Sequence, residues 1–335
     1  MRARCSLIRY LHTLGKVRGT PANESALRWQ RVVGWGAPQG VTRSLPEVIA
    51  VFGPTASGKS SVAEALATRL GTGVVSADAF QVYRGLPILT NQPARPTQLV
   101  AIRDLDEEMS IGEFAALAHS AIDELVEANG AAVVAGGTGL YLRAALADLD
   151  VPPAPEDGAR ERWQAFYDDD PSAAHAMLAT LDPTAATTVH QNDRRRVVRA
   201  LELAEAGASL VPGRDRLWSE EMRRPTLVVG LDVTRDTLER RIRERTEGMF
   251  ARGVAGEVQK ALEGPISRTA VKTLGLRELA DLPQEEALER TVVRTRRYAA
   301  YQRKWMRRIP GVVMIDADRP PEQVADAILE VARAR

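Results

Sequence analysis

This sequence predicts an α/β fold: a parallel sheet with helices on both faces and a helical insertion built onto it. Three observations predict it. Short apolar runs alternate with amphipathic stretches along the chain. A glycine-rich turn ending in Lys-Ser joins the first run to the first amphipathic stretch. Between residues 151 and 222 the strand signal vanishes and helix-forming Ala, Glu, Arg and Leu take over.

The elements follow in order. Val48-Ile49-Ala50-Val51-Phe52 is apolar at every position, as suits a parallel strand covered on both sides. Val62, Leu66 and Leu70 share one face of the following helix, which should stop at Gly71. Val74-Val75-Ser76 reads as a second strand. Over 110–128, Ser110 and Glu113 make a capping-box pattern, and Phe114, Leu117, Ala118, Ala121, Ile122 and Leu125 recur at helical spacing. Ala131–Ala135, Thr226–Leu231 and Val312–Ile315 are further strands. Pro152, Pro153 and Pro155 open the insertion, and 235–308 is helical again. The expected organisation is an extension at 1–45, a core at 46–150 and 223–318, an insertion at 151–222 and a closing helix at 319–335.

Composition excludes several classes. With 335 residues, 44% of them hydrophobic, the chain can bury a full core. No run approaches the roughly 18 apolar residues of a membrane span. A single cysteine, Cys5, excludes a disulfide framework and a Cys-based zinc site, and fits a reducing cytoplasm. The net charge of +1 points to no partner, but its distribution does. Residues 1–45 hold eight Lys/Arg against one acid, Glu24, and residues 290–308 hold eight with no acid. The first cluster is superficially like a transit peptide and reads as a disordered extension. The second suits a phosphate backbone: Arg294, Arg297, Tyr301, Lys304 and Arg308 fall on one helical face.

Gly53-Pro54-Thr55-Ala56-Ser57-Gly58-Lys59-Ser60 fits the phosphate-loop pattern G-x-x-x-x-G-K-[ST], between a strand and a helix. Its glycines let backbone N–H groups turn toward phosphate oxygens, and the helix start adds partial positive charge. Lys59 supplies a full charge, and the Ser60 hydroxyl can ligate Mg²⁺. A P-loop nucleotide hydrolase also places an acid at a strand end to hold its metal. Here the third strand runs into Gly136-Gly137-Thr138-Gly139, and the acid stands after the second strand instead, as Asp78. That arrangement asks for chemistry other than nucleotide hydrolysis.

At this point the chain resembles the tRNA dimethylallyltransferases. The loop at 53–60 is similar to that family's version. So are Ser76-Ala77-Asp78-Ala79-Phe80-Gln81-Val82-Tyr83-Arg84-Gly85 and Ala135-Gly136-Gly137-Thr138-Gly139-Leu140-Tyr141-Leu142. Weaker matches are Asn192-Asp193 with Arg195, Arg196, Arg199 and Ala200-Leu201-Glu202, and Arg241 and Arg245 before Met249 and Gly253, with Glu257-Val258 after them. The resemblance runs in order from about 46 to 310. It implies transfer of a dimethylallyl group from dimethylallyl diphosphate to N6 of the adenosine 3′ of the anticodon, with Mg²⁺ as cofactor. The fold it implies is a P-loop NTPase-like core whose insertion grips the tRNA anticodon stem-loop.

The resemblance also implies site residues. Catalysis falls to Asp78, accepting the N6 proton, to Thr138 at the reaction centre and to Arg245 on the leaving diphosphate. The loop 53–60 holds the diphosphate, and Ser60 the metal. Contacts to tRNA are expected from Asp78, Ala79, Phe80, Gln81, Thr138, Arg160, Arg195, Arg196, Val197, Val198, Arg199, Arg294, Arg297 and Tyr301. Read as residues alone, Asp78 could also be a loop anchor or helix cap. Arg245 could be one of a solvated crowd with Arg240, Arg241 and Arg243. The chain departs from the family pattern at Ala79, in Pro87–Pro93 (including Leu89 and Gln92), at Leu99–Ile102, at Leu276 and in Tyr298-Ala299-Ala300-Tyr301-Gln302, which lacks a Lys-Arg before the glutamine. These departures bear on the acceptor more than on the diphosphate. An enzyme prenylating free adenine nucleotide, a small-molecule P-loop kinase and a non-catalytic RNA-binding protein are the competing readings. The chain is expected to be a cytoplasmic monomer.

Overall fold

A computed structural model describes residues 45–149, 151, 156, 158–211 and 217–335. The extension at 1–44 and the prolines at 152–155 lie outside the described residues. Five strands form one sheet: β1 (Val48–Phe52), β2 (Val74–Ser76), β3 (Ala132–Gly136), β4 (Thr226–Asp232) and β5 (Val313–Asp316). Their order is β2-β3-β1-β4-β5, and every pairing is parallel. β1 is central and buried along its whole length. Val48, Ala50 and Phe52 join the core on one face, with Phe114, Ala118 and Leu142; Ile49 and Val51 join the other, with Val62, Leu66, Val324 and Ile328. The two-residue period of a strand, applied to an all-apolar run, thus serves two cores at once.

The helices on these faces are α1 (Lys59–Leu70), α2 (Ile111–Asn129) and α3 (Gly139–Leu146). α1 ends one residue before Gly71, as predicted. Ser110 caps α2 by accepting from the Glu113 N–H, which is half of the predicted capping box. The Glu113 carboxylate pairs with Arg103; an ion pair with a neighbouring loop has taken the place of the local return bond.

The insertion holds α4 (Ala159–Asp169), α5 (Pro171–Leu181), α6 (Pro183–Thr188) and α7 (Arg194–Glu205), with a core of its own around Tyr167, Ala174, Leu178, Val197 and Leu201. After β4 come α8 (Arg235–Ala251), α9 (Val254–Ala261), α10 (Leu276–Asp281) and α11 (Gln284–Met306), then β5 and α12 (Pro321–Ala334). α12 lies along α1, where Arg69 pairs with Asp326 at 2.7 Å.

Candidate active site

Parallel pairing puts the ends of β1, β2 and β3 on one edge of the sheet. Phe52 is level with Gly136, and Ser76 with Ala135. The segments that follow these strands carry Lys59, Asp78 and Thr138, so chain topology alone brings the three motifs together. Carboxyl edges of parallel sheets are where such folds bind ligands.

The loop after β1 turns through Ala56 (φ 64°) and Gly58 (φ 91°) into the first turn of α1. Gly58 takes a left-handed conformation that side chains resist. Lys59 is half-buried, and its ammonium donates to the Pro54 carbonyl at 2.9 Å. Burial, only partly offset by the Asp78 charge, lowers its pKa from 10.5 to about 8. Arg245, on α8, is also half-buried; its pKa too is pushed down by desolvation, and its guanidinium donates to Thr55 Oγ1 at 2.9 Å. Two half-buried, desolvated cations that share one nearby carboxylate describe a site shaped for an anion. The crowd of arginines on α8 therefore resolves. Arg240 pairs with Glu244, Arg243 with Glu289 and Arg241 with Asp318, and Arg245 alone of the four lines the cavity.

Lys59, Ser60, Asp78, Phe80, Gln81, Arg245, Tyr298 and Gln302 line one cavity. Asp78 Oδ1 accepts from the Phe80 N–H at 3.0 Å. Asp78 is thus a loop anchor as well as a cavity carboxylate, and the anchoring fixes its position. Gln81 donates to the Asn91 carbonyl at 3.1 Å, tying down the divergent stretch 87–93, whose Leu89, Thr90, Asn91 and Pro93 form a wall of the cavity. Glu257 holds the same stretch from α9, accepting from the N–H groups of Ile88 and Leu89 at 2.8 Å each.

At the end of β3, Ala135 and Gly136 line the cavity, whereas Thr138, expected at the reaction centre, is not among its lining residues. Thr138 is the N-cap of α3 yet makes no side-chain cap bond; its hydroxyl instead meets Tyr298 Oη at 2.9 Å. Tyr298 and Gln302, one turn apart on α11, escaped sequence reasoning as site residues. The signal was present, because Tyr298 and Gln302 sit four residues apart on the inward face of a helix whose outward face is basic.

The residues expected to touch tRNA divide. Arg195 and Arg196 at the start of α7 are exposed, as are Arg297 and Tyr301 on α11, and no described acid pairs with Arg195, Arg196 or Arg297. Val197 and Val198 need correcting: both are buried in the insertion's core, so their side chains offer nothing to an RNA. Arg160 also turns inward, donating to both oxygens of the buried Glu202 at 2.6 and 3.1 Å, and Arg199 donates to the same carboxylate at 2.9 Å. The four-residue periodicity that places Arg195 and Arg199 on one face could not show that Glu202 claims the second. Arg294 is bound to Glu278 at 2.7 Å, and Arg308 stacks over Trp218 with 3.9 Å to the ring centroid.

The phosphate-loop sequence, the strand before it, the helix after it and the parallel sheet define a P-loop α/β protein. Comparison with known proteins goes further, and the chain belongs to the IPP transferase family, whose model matches residues 81–309. The tRNA dimethylallyltransferase of Kineococcus radiotolerans is 37% identical over 306 residues, covering 85% of this chain and 96% of that protein. The crystal structure of the full-length tRNA isopentenylpyrophosphate transferase of Bacillus halodurans superposes with a TM-score of 0.61 at 30% identity, over 86% of this chain and 97% of that one. A eukaryotic dimethylallyltransferase caught acting on tRNA gives a TM-score of 0.68 at 25% identity, over 84% of this chain and 78% of that one. Among the described residues no helix is long and apolar enough to cross a membrane.

Proposed function

We propose that this chain transfers a dimethylallyl group from dimethylallyl diphosphate to N6 of the adenosine 3′ of the anticodon in tRNA, releasing diphosphate. The observation that carries the reading is the meeting of Lys59, Arg245 and Asp78 in one cavity, two half-buried cations beside one carboxylate. The diphosphate lies on the loop 53–60, between the Lys59 ammonium and the Arg245 guanidinium. Both cations regain there the counter-charge that burial has taken away. As the carbon–oxygen bond breaks, its electron pair leaves on the diphosphate, and these cations stabilise the charge that develops. The N6 lone pair forms the new nitrogen–carbon bond, and Asp78 takes the surplus N6 proton as the amine acidifies.

Ser60 opens onto the cavity beside Lys59. A single hard oxygen donor, completed by diphosphate oxygens and water, suits Mg²⁺. When bound, the metal supplies further charge neutralisation to the leaving group.

The adenosine must leave the stacked anticodon loop to reach Asp78. Arg195, Arg196, Arg297 and Tyr301 are the exposed groups placed to hold the RNA while it does. The enzyme works as a monomer in the cytoplasm. Purified protein with labelled dimethylallyl diphosphate and Mg²⁺, offered tRNA or AMP, tests the reading. Label is expected on tRNA; label on AMP alone, or on neither, overturns it.

A further inference from the structure

α11 carries an aromatic ladder beside the cavity. Trp305 lies against the start of α3, so closely that a Cβ at residue 139 would overlap its ring; the glycine there makes the room. Trp218, at the end of the insertion, packs on Trp305 with ring centroids 4.9 Å apart, and the Arg308 guanidinium covers Trp218 in turn. Tyr301 meets Trp305 edge-on at 6.3 Å. Both tryptophans are half-buried, whereas Tyr301 is 55% exposed, so it is the open member of the ladder. Its chain neighbour Gln302 turns the other way, lines the cavity and accepts from the Thr55 N–H at 2.8 Å. The cations of α11 sort around this ring. Arg290, Arg294, Arg296 and Arg303 each face an acid. Arg297 and Lys304, a turn before and a turn after Tyr301 on its own face, are exposed and stand in no ion pair among the described residues. Ala300-Tyr301 is also where the chain lacks a Lys-Arg, so an aromatic face stands where charge is expected. An open ring between two uncompensated cations matches a single-stranded nucleic acid, whose bases offer π-faces and whose phosphates offer charge. A duplex hides those faces in its own stack.

We infer that Tyr301 is a stacking platform for one unpaired base of the tRNA anticodon loop, a neighbour of the adenosine that enters the cavity. The inference rests on the proposed transfer reaction and names one contact by which its RNA is held. Drawing the adenosine out of the loop strips its neighbours of a stacking face, and the tyrosine ring supplies another. Trp305 holds that ring before the RNA arrives, so little side-chain freedom is lost on binding. The affinity gained this way comes from contact between π-faces, which salt does not screen as it screens a phosphate contact.

The test measures binding of an unmodified tRNA transcript to the full chain, without donor, over a range of salt. Tyr301→Ala is expected to weaken binding on the order of 10-fold, while Tyr301→Phe and Tyr301→Trp stay within about twofold of wild type. The log–log salt slope should be unchanged in Tyr301→Ala, where a lost phosphate contact would flatten it by about 0.7–0.9. Abasic substitution at successive anticodon-loop positions then locates the base. At one position the wild type should lose as much as Tyr301→Ala does, and the variant should lose nothing further. A thermal melt checks that each variant folds; if Tyr301→Ala does not, Tyr301→Leu, which has no π-face, takes its place with the same expected loss. Wild-type affinity in that variant, an equal loss in Tyr301→Phe, a flattened slope, or abasic penalties that multiply with the variant's at every position overturn the inference and leave the transfer reaction standing. A wild-type chain that binds tRNA through Tyr301 but transfers no label overturns the reaction alone, and one that binds no tRNA overturns both.

Discussion

The cavity and the helical insertion both hold buried or half-buried arginines, and the two regions use them in opposite ways. In the insertion, Arg160 and Arg199 converge on the buried Glu202, and at its surface Arg162 pairs with Glu205 and Arg194 with Asp168, so each of these charges has a partner within the protein. In the cavity, Lys59 and Arg245 are half-buried as well, but among the described acids only Asp78 acts on both. A matched ion pair is architecture, whereas a buried cation short of counter-charge carries an electrostatic cost that only a ligand relieves. The difference teaches where an anion belongs before any anion is seen.

Variants can break or sharpen this contrast. The largest expected effect is at Asp78. Asp78→Asn keeps an oxygen for the Phe80 N–H but cannot take a proton, so turnover should fall by roughly 10²–10⁴ while tRNA retention in a gel shift stays within about twofold. Full activity would remove the proton acceptor from the scheme. Next is Lys59→Met, which should lower kcat/KM for dimethylallyl diphosphate by on the order of 10²-fold and leave tRNA affinity alone. Arg160→Met is expected to act on the other side of the contrast. It strips one partner from the buried Glu202 and should lower stability by about 1–3 kcal/mol in denaturant titration, with tRNA affinity little changed. If tRNA affinity fell and stability did not, Arg160 would belong with the RNA contacts after all. Arg297→Ala removes an exposed cation. It should weaken tRNA a few-fold and flatten the salt dependence of binding by about 0.7–0.9 in log–log slope.

The smallest effect is a fraction of a proton. Because the Lys59 pKa is lower folded, about 8, than unfolded, 10.5, the unfolded chain binds more protons between those values. The Lys59 contribution is therefore unfavourable to folding below pH 8 and fades as pH rises through 10.5. Bound diphosphate reverses the shift. Calorimetry near pH 9, in buffers of different ionisation enthalpy, should show proton uptake on diphosphate binding that Lys59→Met abolishes.

Much of this was legible in the chain because it is local. The phosphate loop, the strand before it and the helix after it lie within some 25 consecutive residues, and their pattern is set by backbone geometry. The alternation of β1 between two cores follows from its composition. What could not be read were pairings at long range. Glu202 meeting Arg160 joins residues 42 apart, and Gln302 meeting Thr55 joins residues 247 apart. A single sequence offers no signal for either. The arginines on α8 illustrate the limit: four look alike in one dimension, and only packing shows which faces inward. The same limit hid the burial of Val197 and Val198, which the family resemblance placed within a basic motif.

α11 deserves a last consideration for what it joins. Over 23 residues, about 35 Å, it shows Tyr298 and Gln302 to the cavity and Arg297, Ala300, Tyr301 and Lys304 to solvent. The two sets interleave along one rigid rod. Outward positions such as Ala300 are exposed and can change without disturbing the inward ones. A shift of the rod as a body is a different matter, since it would move the phosphate loop and the threonine turn together. Changes of RNA preference should therefore accumulate residue by residue on the outer surface, while the axis of this helix stays put.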